Sequence, residues 1–245
     1  MTHRYTIQEK PFRELLRLDK ELSEARREYA NKTPKDRRTE AEFVYHKGSA
    51  DRLFGVALGR NDSEDPWRAD VLALAIDPNY APAILTVGSL EYELGRKNEA
   101  LELLRSLTRL PEDTEDLCII IDKAGNYLLD TDDIPAALDL YKAAVESSPE
   151  VARYHNAVGY CLGKLGSADE SLAASRRAVE LEPENSEWLN DLGYTLLETG
   201  DLEESEAILN RAIDLAPPDY MLPRNNMEEL KRRRAEMNAV KKSRA

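Results

Sequence analysis

The sequence predicts an all-α chain in which antiparallel helix pairs stack into a superhelix, and three periodic series of residues carry that expectation. Glycines recur at Gly88, Gly125, Gly159 and Gly193, spaced 37, 34 and 34 residues apart. Twelve residues after each stands a small residue, Ala100, Ala137, Ser171 or Ser205. A third series, Leu107, Ala144, Ala178 and Ala212, keeps the same spacing, and Pro149, Pro183 and Pro217 close three units 34 residues apart, with Pro111 one place early. Internal self-similarity at about 34 residues marks a helical repeat array. The first spacing exceeds the period by three residues, an insertion placed in the acidic loop of residues 111–116.

Physics accounts for these residue types. Where two helices cross closely only a small side chain fits, hence Gly on the first helix and Ala or Ser on the second. Pro lacks an N–H and turns the residue before it away from helical geometry, so it stops the second helix. Gly95, Gly166 and Gly200 mark the turns between the two helices, where Gly takes the left-handed conformation that ends a helix. In one unit Asp130, Thr131, Asp132 and Asp133 hold that place, read as a turn built from side-chain caps.

Taken from the N-terminus, residues 1–38 are expected to form an amphipathic capping helix, because Leu15, Leu18, Leu22, Ala25 and Tyr29 give one apolar stripe over residues 12–30. Barely two heptads support the other reading, a coiled-coil dimerisation helix. Residues 39–80 read as a degenerate repeat opened by a capping box of Thr39 and Glu42, with a turn at 61–65 followed by Pro66 at a helix start. Four clear repeats follow over 81–217, at approximately 81–114, 115–151, 152–185 and 186–219. Residues 220–245 close the array with a capping helix, expected from Pro223 to about Val240, and a basic tail.

The pattern resembles the tetratricopeptide family. Ile84, Gly88, Ala100 and Leu104 match it in one unit, and Ile121, Gly125, Leu128, Ala137, Tyr141, Ala144 and Pro149 in the next. Val158, Gly159, Leu162, Ala178 and Pro183 follow, then Leu189, Leu192, Gly193, Leu196, Leu209, Ala212 and Pro217. His155 stands in place of a large apolar residue, Ser171 and Ser205 in place of Ala, and Ser175 in place of an aromatic. The resemblance implies a right-handed superhelix with a protein- or peptide-binding concave groove lined by the first helices. It places Asp122 and Asn126, then Arg153, Asn156 and Tyr160, then Glu187, Asn190 and Tyr194 on that groove. Asn156 with Tyr160 and Asn190 with Tyr194 recur one repeat apart. Either their amides serve an extended peptide backbone or they bond locally between helices.

Co-chaperones of this family grip a C-terminal carboxylate with Lys, Asn and Arg. Here those places hold Asp122, Asn126, Ala157, Glu187 and Asp191, or in the next frame Asn156, Tyr160, Asp191, Met221 and Asn225. Acidic side chains repel a carboxylate, so that role is rejected.

Composition narrows the rest. Net charge is −13, divided as +4 over residues 1–60, −22 over 61–223 and +5 over 224–245. An acidic body repels polyanions, so nucleic acid is not expected as a partner, and the basic tail (Lys231, Arg232, Arg233, Arg234, Lys241, Lys242, Arg244) is read as helix-dipole compensation and solubility. Cys118 and Cys161 are far apart and outside any ligand motif, and His3, His46 and His155 fall in different units, so neither metal nor disulfide is expected, and no cofactor. His155 is read as a buried or half-buried packing residue. The start of the chain lacks a signal-peptide apolar stretch and the longest uncharged runs are about half of the roughly 20 residues a bilayer needs, which points to a cytoplasmic protein without membrane insertion. No nucleotide, metalloprotease or nucleophile-elbow motif is present, so no enzyme is expected. The expected function is an adaptor holding a partner segment of basic character against the acidic groove of residues 118–198. The alternative is self-assembly, basic ends of one subunit meeting the acidic body of another.

Overall fold

A computed structural model describes residues 8–57 and 67–243, with side chains over 8–49 and 67–240. The expected turn at 61–65, Pro66 and His3 lie outside the described residues. Every regular element described is helical, thirteen α-helices and one short 3₁₀ turn. The chain divides into two compact units, residues 1–127 and 128–245.

In the first unit, the apolar stripe of residues 12–30 does not form one helix. It breaks into α1 (Phe12–Leu18) and α2 (Lys20–Tyr29) at Asp19, whose backbone is extended. Asp19 is buried, accepts the Leu22 N–H at 3.1 Å to cap α2, and accepts both Arg68 Nη1 and Nη2, at 3.0 and 2.6 Å. A carboxylate bonded to a cap and to a bidentate guanidinium fixes a corner that a continuous helix would forfeit. Helix α3 (Pro34–Ala57) also begins earlier than Thr39. Thr33 is its cap, with Oγ1 accepting the Asp36 N–H at 3.1 Å and donating to Asp36 Oδ2 at 2.8 Å, and Pro34 in the first helical place. Thr39 therefore lies inside the helix, because the pair Thr33 and Asp36 satisfies the free N–H groups first.

Helices α4 (Arg68–Ile76), α5 (Ala81–Glu93) and α6 (Lys97–Ser106) continue the unit, each packing back on its predecessor across α3·α4, α4·α5 and α5·α6. Arg38 ties α3 to the turn after α4, donating to Asp77 Oδ2 at 2.9 Å and to the Asn79 carbonyl at 3.0 Å. Glu91, fully buried on α5, accepts the Phe12 N–H at 2.5 Å and Arg96 Nη1 at 3.0 Å, so the start of α1 is held by an internal ion pair. After α6 the chain makes the 3₁₀ turn Leu107–Arg109 and the acidic loop before α7 (Leu117–Asp130).

The second unit holds α8 (Ile134–Ser147), α9 (Ala152–Lys164), α10 (Ala168–Leu181), α11 (Ser186–Thr199), α12 (Leu202–Leu215) and α13 (Leu222–Ser243), with each neighbour in the chain packed on the next. In the turn before α8 the left-handed conformation is taken by Asp132 itself, with φ 61°, where a glycine serves elsewhere. His155 is half-buried and its ring donates to the Pro149 carbonyl at 2.7 Å, while Tyr154 beside it is buried in the core. The aromatic thus enters the core one place earlier than the family pattern puts it, as Trp188 does in the next unit. Helix α13 closes the core through Met227 and Leu230 against Leu197, Leu202 and Leu209. Three arginines of its basic run are engaged inside the unit, Arg232 with Glu229 and Arg233 with Glu198, both at 2.5 Å, and Arg234 with Glu206 at 2.7 Å.

The helix crossings are sterically tight. A Cβ placed on Gly193 would lie 2.7 Å from both Cγ and Cδ2 of Leu209, and one on Gly88 2.7 Å from Cδ2 of Leu104. At the same crossings the Ser171 and Ser205 hydroxyls donate to the carbonyls of Gly159 and Gly193, at 2.8 and 2.7 Å, which explains Ser where the family carries Ala. Gly193→Ala is expected to lower unfolding free energy by about 1 to 3 kcal/mol through overpacking, despite the better helix propensity of Ala. In denaturant titrations the loss should shrink when Leu209→Val is added, so strictly additive losses would contradict the crossing.

Candidate functional site

The second unit contains a cavity of about 370 Å³ lined by residues of α9, α10, α11 and α13. Its lining includes two small residues at places where other repeats carry large ones. Sixteen residues after the crossing glycine stand Leu104, Tyr141 and Leu209, all fully buried, but α10 has Ser175. Four residues after the glycine stand Tyr92, Leu129 and Leu197, but α9 has Gly163. Both Ser175 and Gly163 line the cavity with Gly159 and Ser171, but α10 closes on Gly159, where a Cβ would lie 2.7 Å from Ser175 Oγ. The open space is the one beside Gly163, where a Cβ would meet only Ser171 Oγ within 4 Å, at 3.3 Å.

Tyr160 and Tyr194 flank it, half exposed at 51% and 46%, and Leu222 of α13 adds an exposed apolar edge. The Lys164 ammonium sits 5.3 Å from the centroid of the Tyr160 ring, a cation on an aromatic face. One end of the cavity is polar. There the Asp191 carboxylate accepts Asn156 Nδ2 at 2.8 Å and Asn190 Nδ2 at 3.1 Å, and Asn190 Oδ1 accepts Asn226 Nδ2 at 2.8 Å. The chain of bonds links α9, α11 and α13. Asn156 and Asn190 are therefore not exposed amides; they are 8% and 3% exposed and brace first helices against one another.

Burial raises the Asp191 carboxyl above the usual carboxylate range, and the Glu187 charge adds to the rise, against the lowering by its two amide donors. Its folded-state value lies above its unfolded one, so this group favours the folded chain as pH falls through the raised value and costs stability above it. No cation pairs with Asp191 among the described residues. Asn156 Oδ1 is also buried and accepts no hydrogen bond. The amide cannot be reversed to cure this, because its NH₂ is committed to Asp191. Burial pushes the nearby Tyr220 phenol up to about 12, with the charges of Asp191 and Glu187 contributing, so it stays neutral.

Of the eight groove residues expected from sequence, four gather at this cavity: Asn156, Tyr160, Asn190 and Tyr194. Arg153 instead stacks 5.5 Å from the Trp188 ring, and Glu187 is exposed in the first turn of α11, which Asn185 caps. Asp122 and Asn126 belong to the first unit, where Asn126 Nδ2 reaches Asp122 Oδ2 at 3.4 Å. Asp191, Gly163 and Asn226 were not expected as site residues. Comparing Gly163 with Leu197 one period later would have exposed the first gap, whereas the role of Asp191 depends on contacts between helices.

The same desolvation pushes the buried Cys161 thiol up to about 11, which leaves it protonated and unreactive. Among the described residues no cluster of His, Cys, Asp and Glu is placed to hold a metal ion, and no helix is long and apolar enough to cross a membrane.

Repeated helix pairs with a small residue at each crossing define a helical-repeat solenoid protein. The tetratricopeptide repeat model matches residues 123–181 and 162–220, so this stretch of the chain is built of tetratricopeptide repeats. Comparison with curated protein sequences gave no significant match. Among solved structures, that of YrrB, described as a TPR protein with an unusual peptide-binding site, is similar at a TM-score of 0.53 and 20% identity, covering 89% of this chain and 98% of that one. TTC0263, a thermophilic TPR protein of Thermus thermophilus, has a TM-score of 0.47 and 24% identity, over 78% of this chain and 98% of that one. MamA has a TM-score of 0.49 and 20% identity, over 71% and 91%. At these identities the likeness to YrrB concerns the fold.

Removing one member of the amide chain strands its partners. Asn190→Ala leaves Asn226 Nδ2 and one oxygen of Asp191 without their bonds and is expected to cost about 1 to 3 kcal/mol in denaturant unfolding. An unchanged midpoint would show that these amides carry no bracing role.

Proposed function

We propose that the chain is a non-catalytic scaffold that holds a peptide segment of a partner protein, with the cavity of the second unit as its main contact. The observation that carries this reading is the cavity itself. The large side chain of the repeat pattern is absent at Gly163, and half-exposed Tyr160 and Tyr194 border the space it leaves. Clefts of a few hundred Å³ with apolar walls and a few placed polar groups are the usual form of a binding site. Tyr supplies a large, rigid contact surface at small entropic cost, which suits recognition of a peptide.

Asn156 and Asn190 enter this reading as supports that hold Asp191 and the first helices in place, and Asp122, Asn126, Arg153 and Glu187 as outlying groove positions. YrrB, described with a peptide-binding site, offers a precedent on a similar fold. With repeats taken as about 152–185 and 186–219, the binding cavity belongs to the last two repeats and the closing helix. An acidic body of net charge −22 over residues 61–223 favours partners of basic character through long-range attraction.

Filling the cavity separates binding from folding. Gly163→Leu restores the side-chain size found at Leu129 and Leu197 and should keep native helix content by circular dichroism. Peptides selected from a random display library on the wild-type chain are expected to bind this variant at least tenfold more weakly, about 1.4 kcal/mol. Peptides that bind the filled variant equally well, or a selection that enriches none, would overturn the proposal.

A further inference from the structure

The polar end of the cavity presents acceptors and lacks a donor. Asp191 brings a partly buried carboxylate whose two oxygens each take one amide N–H, leaving further lone pairs, and no cation pairs with it among the described residues. Asn156, more than nine-tenths buried, lines the same cavity and its Oδ1 has no partner. A buried acceptor without a donor costs the desolvation of that group, and an uncompensated buried carboxylate costs more, so both would be relieved by one cationic donor. The walls fit the rest of such a group. Tyr160 already carries the Lys164 ammonium against its ring at 5.3 Å, so its face attracts cations, and Tyr194 stands one repeat further along the same cavity. Gly163, where other repeats carry Tyr or Leu, leaves room for an aliphatic stem. Lys164 makes no ion pair among the described residues, so the chain does not supply its own counter-ion to Asp191.

We infer that the cavity takes a lysine or arginine side chain of the bound segment, its N–H donors shared between the Asp191 carboxylate and Asn156 Oδ1 and its stem lying between Tyr160 and Tyr194. This rests on the reading of the cavity as a peptide site and specifies the residue that anchors the peptide there. It differs from attraction to the acidic surface at large, because a buried acceptor pair selects one side chain at one position whereas the surface charge acts over about 10 Å and is screened by salt.

The test uses capped nonapeptide pools whose central residue is fixed as Arg, Lys, Leu, Phe or Glu and whose flanks are random but free of Lys, Arg and Cys, titrated into the full chain at about 0.15 M salt, the physiological ionic strength. The Arg and Lys pools are expected to bind at least tenfold more tightly than the Leu and Phe pools, and the Glu pool most weakly. Asp191→Asn, matched in size, should bring the Arg to Leu ratio close to one without weakening the Leu pool. The wild-type chain gives an independent readout that survives if this variant folds poorly: the side-chain amide resonances of Asn156 and Asn190 should move with the Arg pool and stay in place with the Leu pool. Preference for Leu or Phe would overturn the cationic anchor and leave the peptide site standing. Undiminished Arg preference in folded Asp191→Asn, or unmoved Asn156 resonances with bound Arg peptide, would also overturn the anchor. Binding of no pool would remove both readings.

Discussion

Two helices of one pair cross so closely that the first must lack a side chain where the second inserts one. A methyl group added at Gly193 would fall 2.7 Å from Leu209, far inside van der Waals contact, and the same holds for Gly88 against Leu104. The residue sixteen places after each glycine therefore decides whether the crossing is filled. Leu or Tyr fills it at positions 104, 141 and 209. Ser171 and Ser205 secure the same crossings from the second helix by bonding the glycine carbonyls, a contact that requires the absence of a side chain on the partner. At Gly159 the crossing is closed differently: Ser175 is short and α10 comes nearer, so that a Cβ there would lie 2.7 Å from Ser175 Oγ and 3.2 Å from the Ser171 carbonyl oxygen. The open space lies one turn further along α9, at Gly163, where a Cβ would meet only Ser171 Oγ within 4 Å, at 3.3 Å.

What borders that cavity has an energetic character unlike the ion pairs of the first unit. There buried Asp19 is matched by Arg68 and buried Glu91 by Arg96. Asp191 is instead solvated by two amides and retains unfilled acceptor capacity, beside an Asn156 oxygen with no donor. Groups held in such a state destabilise the free protein, and perturbed carboxyls in clefts are found at functional sites more often than elsewhere. The bracing by Asn226 from α13 keeps the arrangement rigid, so a ligand would meet preformed acceptors and lose little entropy in ordering them.

The repeat was legible in the sequence because it is written in residues whose constraints are local: Gly at crossings and turns, Pro after second helices, small residues at fixed offsets. Features that depend on distant partners were not. The break at Asp19 is set by Arg68, 49 positions away, and neither residue signals the other by spacing. Thr39 with Glu42 has the form of a capping box, but Thr33, Pro34 and Asp36 precede it and end the competition for the free N–H groups. Sequence identified four residues that meet at the cavity, and left Asn156 and Asn190 open between direct contact with a peptide backbone and local bonding between helices. Their burial follows from the packing of α9, α11 and α13, and the acceptor that engages them, Asp191, looked like any other helix carboxylate. Ser175 was visible as a departure, but a missing side chain announces a cavity only when the neighbours that fail to replace it are known.

The most direct test of this account is the denaturant-unfolding free energy of Gly163→Leu. If the space beside Gly163 is open, the new side chain enters it as Leu197 fills the equivalent place one repeat later, and stability should stay the same or rise. A loss of about 1 to 3 kcal/mol, the usual cost of overpacking, would mean that the space is already occupied and would contradict the cavity on which the functional reading stands.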